Sequence, residues 1–135
     1  MREVYADTGY WIGLANPGDV LHAAAMEASR DFRGCVLLTS EAVLWEFLNW
    51  AGKLPGLREA AARKVRSILA HPRTEVVSFS HAAFLDALAL YEARLDKTYS
   101  LTDSLSMEIM EDRGIQDVLT ADQHFAQTGS TVLLR

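Results

Sequence analysis

The sequence predicts an α/β fold, a three-layer sandwich around a mainly parallel five-stranded sheet, on three observations. Short apolar runs alternate with helix-patterned stretches along the chain, the order that builds parallel strands joined by crossover helices. The run Cys35-Val36-Leu37-Leu38 shows no polar alternation, as expected of a strand covered on both faces. Half of the 135 residues are apolar and 23% are charged, with 8 Gly and 3 Pro, so a core can form and disorder is excluded. The length suits one domain, residues 1–135, and no internal repeat is present.

Glu3 to Asp7 is the first strand, ending at a turn signal in Thr8-Gly9; Asn16-Pro17-Gly18 marks a loop. Asp19 to Phe32 carries Ala, Met and Leu at helical spacing, and Gly34 is a natural stop before the second strand at Cys35 to Leu38. Thr39-Ser40 supplies an N-cap and Glu41 a first-turn acid for a helix containing Val43, Leu44, Phe47 and Leu48, which breaks near Gly52. After Pro55-Gly56, Leu57 to Ala70 forms a basic helix with Val65, Ile68 and Leu69 as its apolar stripe, ended by Pro72. Glu75 to Phe79 is strand three, and Ser80 caps a helix with Phe84, Leu85, Leu88 and Tyr91 on one side. A loop from Lys97 to Leu101 leads to a helix starting at Thr102-Asp103, with Leu105, Ile109 and Met110 buried and Gly114 as its end. Val118 to Thr120 is strand four, ending at Ala121-Asp122; a helical turn carries Phe125, Gly129 turns the chain, and Thr131 to Leu134 is strand five.

Composition excludes several functions. The lone Cys35 makes no internal disulfide, and Met1 to Asp7 lack the apolar run of a signal peptide, so a cytoplasmic location is expected. No stretch approaches the roughly 20 apolar residues of a membrane span. The net charge of −5 argues against holding nucleic acid by bulk electrostatics. Lys53 to Arg73 departs from it, with six basic side chains (Lys53, Arg58, Arg63, Lys64, Arg66, Arg73) against Glu59 alone: either a solvated helix face or one that meets phosphate or a partner.

In parallel sheets, ligands bind beyond the carboxyl ends of the strands, where strand order reverses. Asp7 and Asp122 end strands one and four, Asp103 starts a helix whose dipole favours an anion, and Glu46 lies a turn or more into the helix after strand two. All four can face one crevice, and carboxylates crowded there require protons or a cation. With no His or Cys at matching positions, the ligands are expected to be oxygen only, selecting Mg²⁺ or Mn²⁺ over zinc. Such a site suits metal-assisted phosphodiester hydrolysis, with the ion screening the anionic crevice from a phosphate backbone.

Four segments carry a family resemblance: Tyr5-Ala6-Asp7-Thr8; Thr39-Ser40 through Val43-Leu44-Trp45-Glu46; Ser100-Leu101-Thr102-Asp103-Ser104; and Asp117-Val118-Leu119-Thr120-Ala121-Asp122-Gln123-His124-Phe125. Together they resemble the PIN domain, the small ribonuclease family that includes the VapC-like toxins of type II toxin-antitoxin systems. The resemblance covers essentially the whole chain and implies strand order 3-2-1-4-5, with Asp7 and Asp122 on adjacent central strands. It further implies that Asp7, Glu46, Asp103 and Asp122 are the catalytic, metal-binding acids, that the cofactor is Mg²⁺ or Mn²⁺, and that RNA is cut. As partners it implies a small antitoxin protein and a second copy in a homodimer.

Thr8 and Thr102 stand beside these acids; their hydroxyls either orient a carboxylate or bound water, or serve only turn and N-cap duty. Asp103 alone reads as a helix cap and Asp122 as a strand end, but four acids at family spacing weigh against that. Glu41 and Asp19 read as helix-start acids, Asp117 as a turn residue, Glu108, Glu111 and Asp112 as a solvated face, His124 as structural, and Cys35 as an inert core residue. Tyr10, Trp11, Trp45 and Trp50 exceed what one helix face buries easily, leaving core packing or an interface for a second copy or an antitoxin. The rivals are a non-catalytic interaction module and an aspartyl-phosphate phosphotransfer enzyme. The second wants another acid just after Asp7, where Thr8 and Gly9 stand, and a Lys near the last strand, which is missing.

Overall fold

The computed structural model describes residues 2–134. β1 (Glu3–Ala6) is followed by α1 (Thr8–Ala15), α2 (His22–Asp31), β2 (Val36–Ser40), α3 (Glu41–Gly52) and α4 (Arg58–Ala70). Then come β3 (Thr74–Val77), α5 (His81–Ala93), α6 (Leu101–Arg113), β4 (Asp117–Leu119), α7 (His124–Gln127) and β5 (Thr131–Val132).

The strands form one sheet in the order β3-β2-β1-β4-β5, and every neighbouring pair is parallel. This is the expected α/β architecture and strand order. β1 is central because it has no polar face to offer: Val4, Tyr5 and Ala6 are fully buried. It pairs Tyr5 with Leu38 of β2 and with Val118 of β4. The right-handed crossover rule expects α1 to α4 on one face and α5 and α6 on the other, in keeping with the packing of α1 on α2 and α3, α3 on α4, and α5 on α6. Strand order reverses between β1 and β4, so the crevice at their carboxyl ends is the topological switch point. No helix among the described residues is long and apolar enough to cross a membrane.

Several local expectations are corrected. The turn expected at Thr8-Gly9 is the start of α1. Tertiary burial overrides two poor helix formers there: Tyr10 and Trp11 are buried and pack edge to face, and a Cβ on Gly13 would stand 3.1 Å from Ala25 Cβ, so the missing side chain lets α1 close on α2. The second helix begins at His22 rather than Asp19, whose Oδ1 accepts the Leu21 amide at 2.8 Å. β2 starts after Cys35, which is half-buried, and runs on through Thr39-Ser40. β3 stops at Val77. Asp117 is no turn residue but the first of β4, paired with the Arg2 guanidinium at 3.0 and 2.7 Å. On α5, Leu85 and Tyr91 are exposed and only Ala87 is fully packed.

Polar groups at the base of β1 are paired, as burial requires. The Tyr5 hydroxyl lies 2.8 Å from Ser106 Oγ and 3.3 Å from Ser40 Oγ. Thr39 Oγ1 donates to the Ala6 carbonyl at 2.8 Å and accepts from Trp11 Nε1 at 3.3 Å. Burial pushes the Tyr5 hydroxyl up, so it stays neutral. These bonds fasten the base of the crevice to β2 and α6.

Candidate active site

Asp7 leaves β1 in extended conformation at the N-cap position of α1, but its carboxylate does not cap that helix. It points instead to β4. Thr120 Oγ1 donates to Asp7 Oδ2 at 2.9 Å and accepts the Asp122 backbone amide at 3.2 Å. Asp7 is 7% exposed. Burial is the largest influence on its carboxyl and, with the charges of Asp103 and Glu46, pushes it up to about 6 against the pull of the Thr8 amide and the Thr120 hydroxyl.

Asp103 comes from the opposite side. The helix starts one residue earlier than expected, at Leu101, with Ser100 as N-cap and Asp103 at the third position. Ser100 Oγ accepts the Asp103 amide at 3.0 Å, and Asp103 Oδ2 accepts the Ser100 amide at 3.1 Å, a reciprocal capping box. The cap fixes the carboxylate without isolating it from the other acids: burial and the charges of Asp122 and Glu46 raise it from its ordinary value, against the pull of the Ser100 bonds. Capping and membership of the acidic group therefore coexist in one residue.

Asp122 follows β4. Its Oδ1 accepts the His124 amide at 2.9 Å and stands 3.0 Å from His124 Nδ1. Ligand atoms of Asp103, Asp122 and His124 lie within 4.8 Å of one another, a group that, among the described residues, does not extend to Asp7 or Glu46. Glu46 sits on the exposed side of α3, which touches α6; its charge reaches both Asp7 and Asp103. The structure thus gathers Asp103 and Asp122 beside His124, ties Asp7 to Asp122 through Thr120, and leaves Glu46 exposed on α3.

The two flanking threonines differ. Thr8 is buried beside Asp7, and its Oγ1 has no hydrogen-bond partner. Thr102 is half-buried and lines a different space, a 500 Å³ cavity with Glu41, Ala42, Trp45, Phe79 and Leu101. Sequence reasoning missed Thr120, which links two acids, and placed His124 outside the site. The only available signal was spacing: Thr120, Asp122 and His124 alternate on one short turn.

The donor set can be tested against a divalent cation. Among the described residues, two buried side-chain atoms lack a hydrogen-bond partner, Thr8 Oγ1 and His124 Nδ1. Both flank the acids. An orphaned buried polar atom costs on the order of 1 to 3 kcal/mol, and two beside three carboxylates of like charge fit a site built around a positive ion. The oxygen-rich set suits a hard ion, and one imidazole nitrogen, that of His124, stands within reach of Asp103 and Asp122.

Sequence and fold both match known proteins. A PIN domain family model matches residues 4–130. The chain is 30% identical over 128 residues to the 23S rRNA-specific endonuclease VapC20 of Mycobacterium tuberculosis, in strains CDC 1551 / Oshkosh and H37Rv alike, spanning 93% of this chain and 94% of the relative. Among solved structures, Mycobacterium tuberculosis VapC20, described as a sarcin-ricin loop cleaving toxin, superposes with a TM-score of 0.85 at 24% identity, covering 98% of this chain and 99% of that one. VapBC2 from Rickettsia felis, bound to a DNA fragment from its promoter, gives 0.70 at 14% identity, and FitAcB from Neisseria gonorrhoeae 0.63 at 12%, each covering 96% of both chains.

Proposed function

The chain belongs to the PIN domain family, and from that premise we propose that it is a Mg²⁺- or Mn²⁺-dependent endoribonuclease, the toxin of a toxin-antitoxin pair, acting as one domain over residues 1–135. The observation that carries the metal-dependent reading is the pair of orphaned buried atoms, Thr8 Oγ1 and His124 Nδ1, set on either side of acids already crowded enough to lift Asp7 to about 6. Asp7, Asp103 and Asp122 hold the ion, with Glu46 at the rim. When bound, the ion supplies a charged centre that activates water and stabilises charge on the phosphate.

The protein's own groups do the positioning. Thr120 ties Asp7 to Asp122 through one hydroxyl, so the two strand-end acids keep a fixed spacing. The capping box holds the Asp103 side chain, removing rotamer freedom before substrate arrives. Thr8 Oγ1, buried beside Asp7 and without a hydrogen-bond partner, is placed to orient water or a phosphate oxygen, whereas Thr102 lines the neighbouring cavity and is left with N-terminal helix duty. Glu46, exposed on α3, would accept the proton of the attacking water, and the departing 3′ oxygen would take a proton from solvent, leaving a 5′ phosphate.

The relative that acts on 23S rRNA makes structured ribosomal RNA in the cytoplasm the substrate class of choice. The face that carries Trp45, 71% exposed on α3, supplies the contact for a second copy or an antitoxin; the structural neighbours VapBC2 and FitAcB support a partner. A basic side chain from an antitoxin would compete with the ion for Asp103 and Asp122. Cleavage of a ribosomal RNA stem-loop should need Mg²⁺ or Mn²⁺ and leave 5′ phosphates. Undiminished cleavage in excess chelator, or 2′,3′ cyclic phosphate ends, would show the ribose hydroxyl attacking and the metal reading wrong.

A further inference from the structure

His124 occupies an unusual electrostatic position. Its Nε2 lies 2.9 Å from the Thr98 hydroxyl, and the Tyr99 ring, 5.2 Å away, meets it edge to face. A proton on Nε2, donated to Thr98 Oγ1, leaves Nδ1 with a bare lone pair. That atom is buried, has no hydrogen-bond partner, and is 3.0 Å from Asp122 Oδ1. Two electron-rich atoms at this distance repel unless a positive charge joins them. A proton on Nδ1 joins them poorly, because an N–H there does not meet Oδ1 with hydrogen-bond geometry, and Oδ1 already accepts the His124 amide.

A metal ion meets the same requirement without an N–H direction. Two adjacent ligands of an octahedral ion with bonds of about 2.1 Å stand about 3.0 Å apart, the separation of Nδ1 and Oδ1, and Asp103 offers a third ligand within reach. A ligating imidazole commonly gives its other ring N–H to a neighbouring acceptor, the place Thr98 fills. The geometry points to His124 as a nitrogen ligand, through Nδ1, beside Asp103 and Asp122. The centre is then mixed nitrogen and oxygen and favours Mn²⁺ over Mg²⁺, since imidazole suits transition ions better than magnesium. This inference rests on the metal-dependent reading above and adds to it a residue and an ion preference.

Pulsed electron paramagnetic resonance of the Mn²⁺-loaded protein tests it directly, alongside calorimetric titration of Mn²⁺ and Mg²⁺ into wild type, His124→Gln and Asp103→Asn. The expected result is a nitrogen coupling of a coordinated imidazole in wild type that disappears in His124→Gln. Mn²⁺ affinity should fall at least as far as loss of an outer hydrogen-bond partner takes it, about ten- to a hundredfold, and Mg²⁺ affinity less. Bound Mn²⁺ that Asp103→Asn abolishes but that shows no imidazole coupling in wild type, or a coupling retained in His124→Gln, overturns the His124 ligand and leaves the metal reading intact. Failure of wild type to bind Mn²⁺ at all overturns both. Because the wild-type spectrum alone can refute the ligand, the outcome does not depend on the variant folding.

Discussion

Thr120 donates its hydroxyl to Asp7 Oδ2 at 2.9 Å across 113 residues of chain, and the same oxygen accepts the Asp122 amide. One side chain therefore sets the spacing of the two acids at the switch point of the sheet.

Thr120→Val keeps the shape of that side chain and removes the donor. The Asp7 carboxyl, already lifted to about 6, should rise further, because a bond that favours its charged form is gone. Leaving a buried carboxylate short of a partner should cost the ion-free protein about 1 to 3 kcal/mol at pH 8. Carboxyl titration by nuclear magnetic resonance and denaturant unfolding check the two effects; an Asp7 titration that does not move contradicts the linkage.

The raised Asp7 carboxyl also fixes a sign for pH dependence. Its folded value near 6 lies above the unfolded value of about 3.9, so between these limits the folded state binds more protons. Asp7's contribution to ion-free stability is then fully present below pH 4, is lost between pH 4 and 6 by something on the order of 2 to 3 kcal/mol, and is level above. Metal affinity runs the other way and rises through the same window, since the ligand must lose its proton. Unfolding curves in chelator from pH 4 to 8 check the first; a stability that climbs across that window contradicts it.

The sequence made some of this legible and hid the rest for physical reasons. The placement of Asp7, Asp103 and Asp122 at neighbouring element ends was legible because strand ends and helix starts leave marks in local pattern, and a parallel sheet places those ends together. α1 was hidden because Gly9 and Gly13 read as turn residues, while burial of Tyr10 and Trp11 and the close approach to Ala25 are tertiary facts. The contacts of Thr120 and His124 were hidden because they rest on distances between strand ends and around one short turn. The excess of aromatics resolves unevenly: Tyr10 and Trp11 are core, Trp50 is half-buried and packs against Phe47, and Trp45 is left outside.

Trp45 provides a test of the partner surface. With its side chain 71% exposed, Trp45→Glu should change unfolding free energy by no more than about 0.5 kcal/mol. A homodimer or antitoxin complex seated there should weaken markedly, because a buried aromatic anchor is replaced by an unpaired charge. Light scattering at tens of micromolar and titration with the antitoxin read the effect. Unchanged assembly of a dimer or complex would move the interface elsewhere.

Thermal melts of wild type and Asp7→Asn, each with chelator and with Mg²⁺, test the central claim that Asp7 is held in a repulsive, buried position to bind an ion. Asn keeps the shape and can still accept the Thr120 hydroxyl, but it carries no charge against Asp103 and Glu46. In chelator the variant should therefore melt higher than wild type. It should also lose most cleavage and most of the ion-dependent stabilisation, which for wild type reaches about 2.7 kcal/mol at a hundredfold excess over Kd. An ion-free variant that melts lower than wild type and keeps the full Mg²⁺ shift would contradict the account.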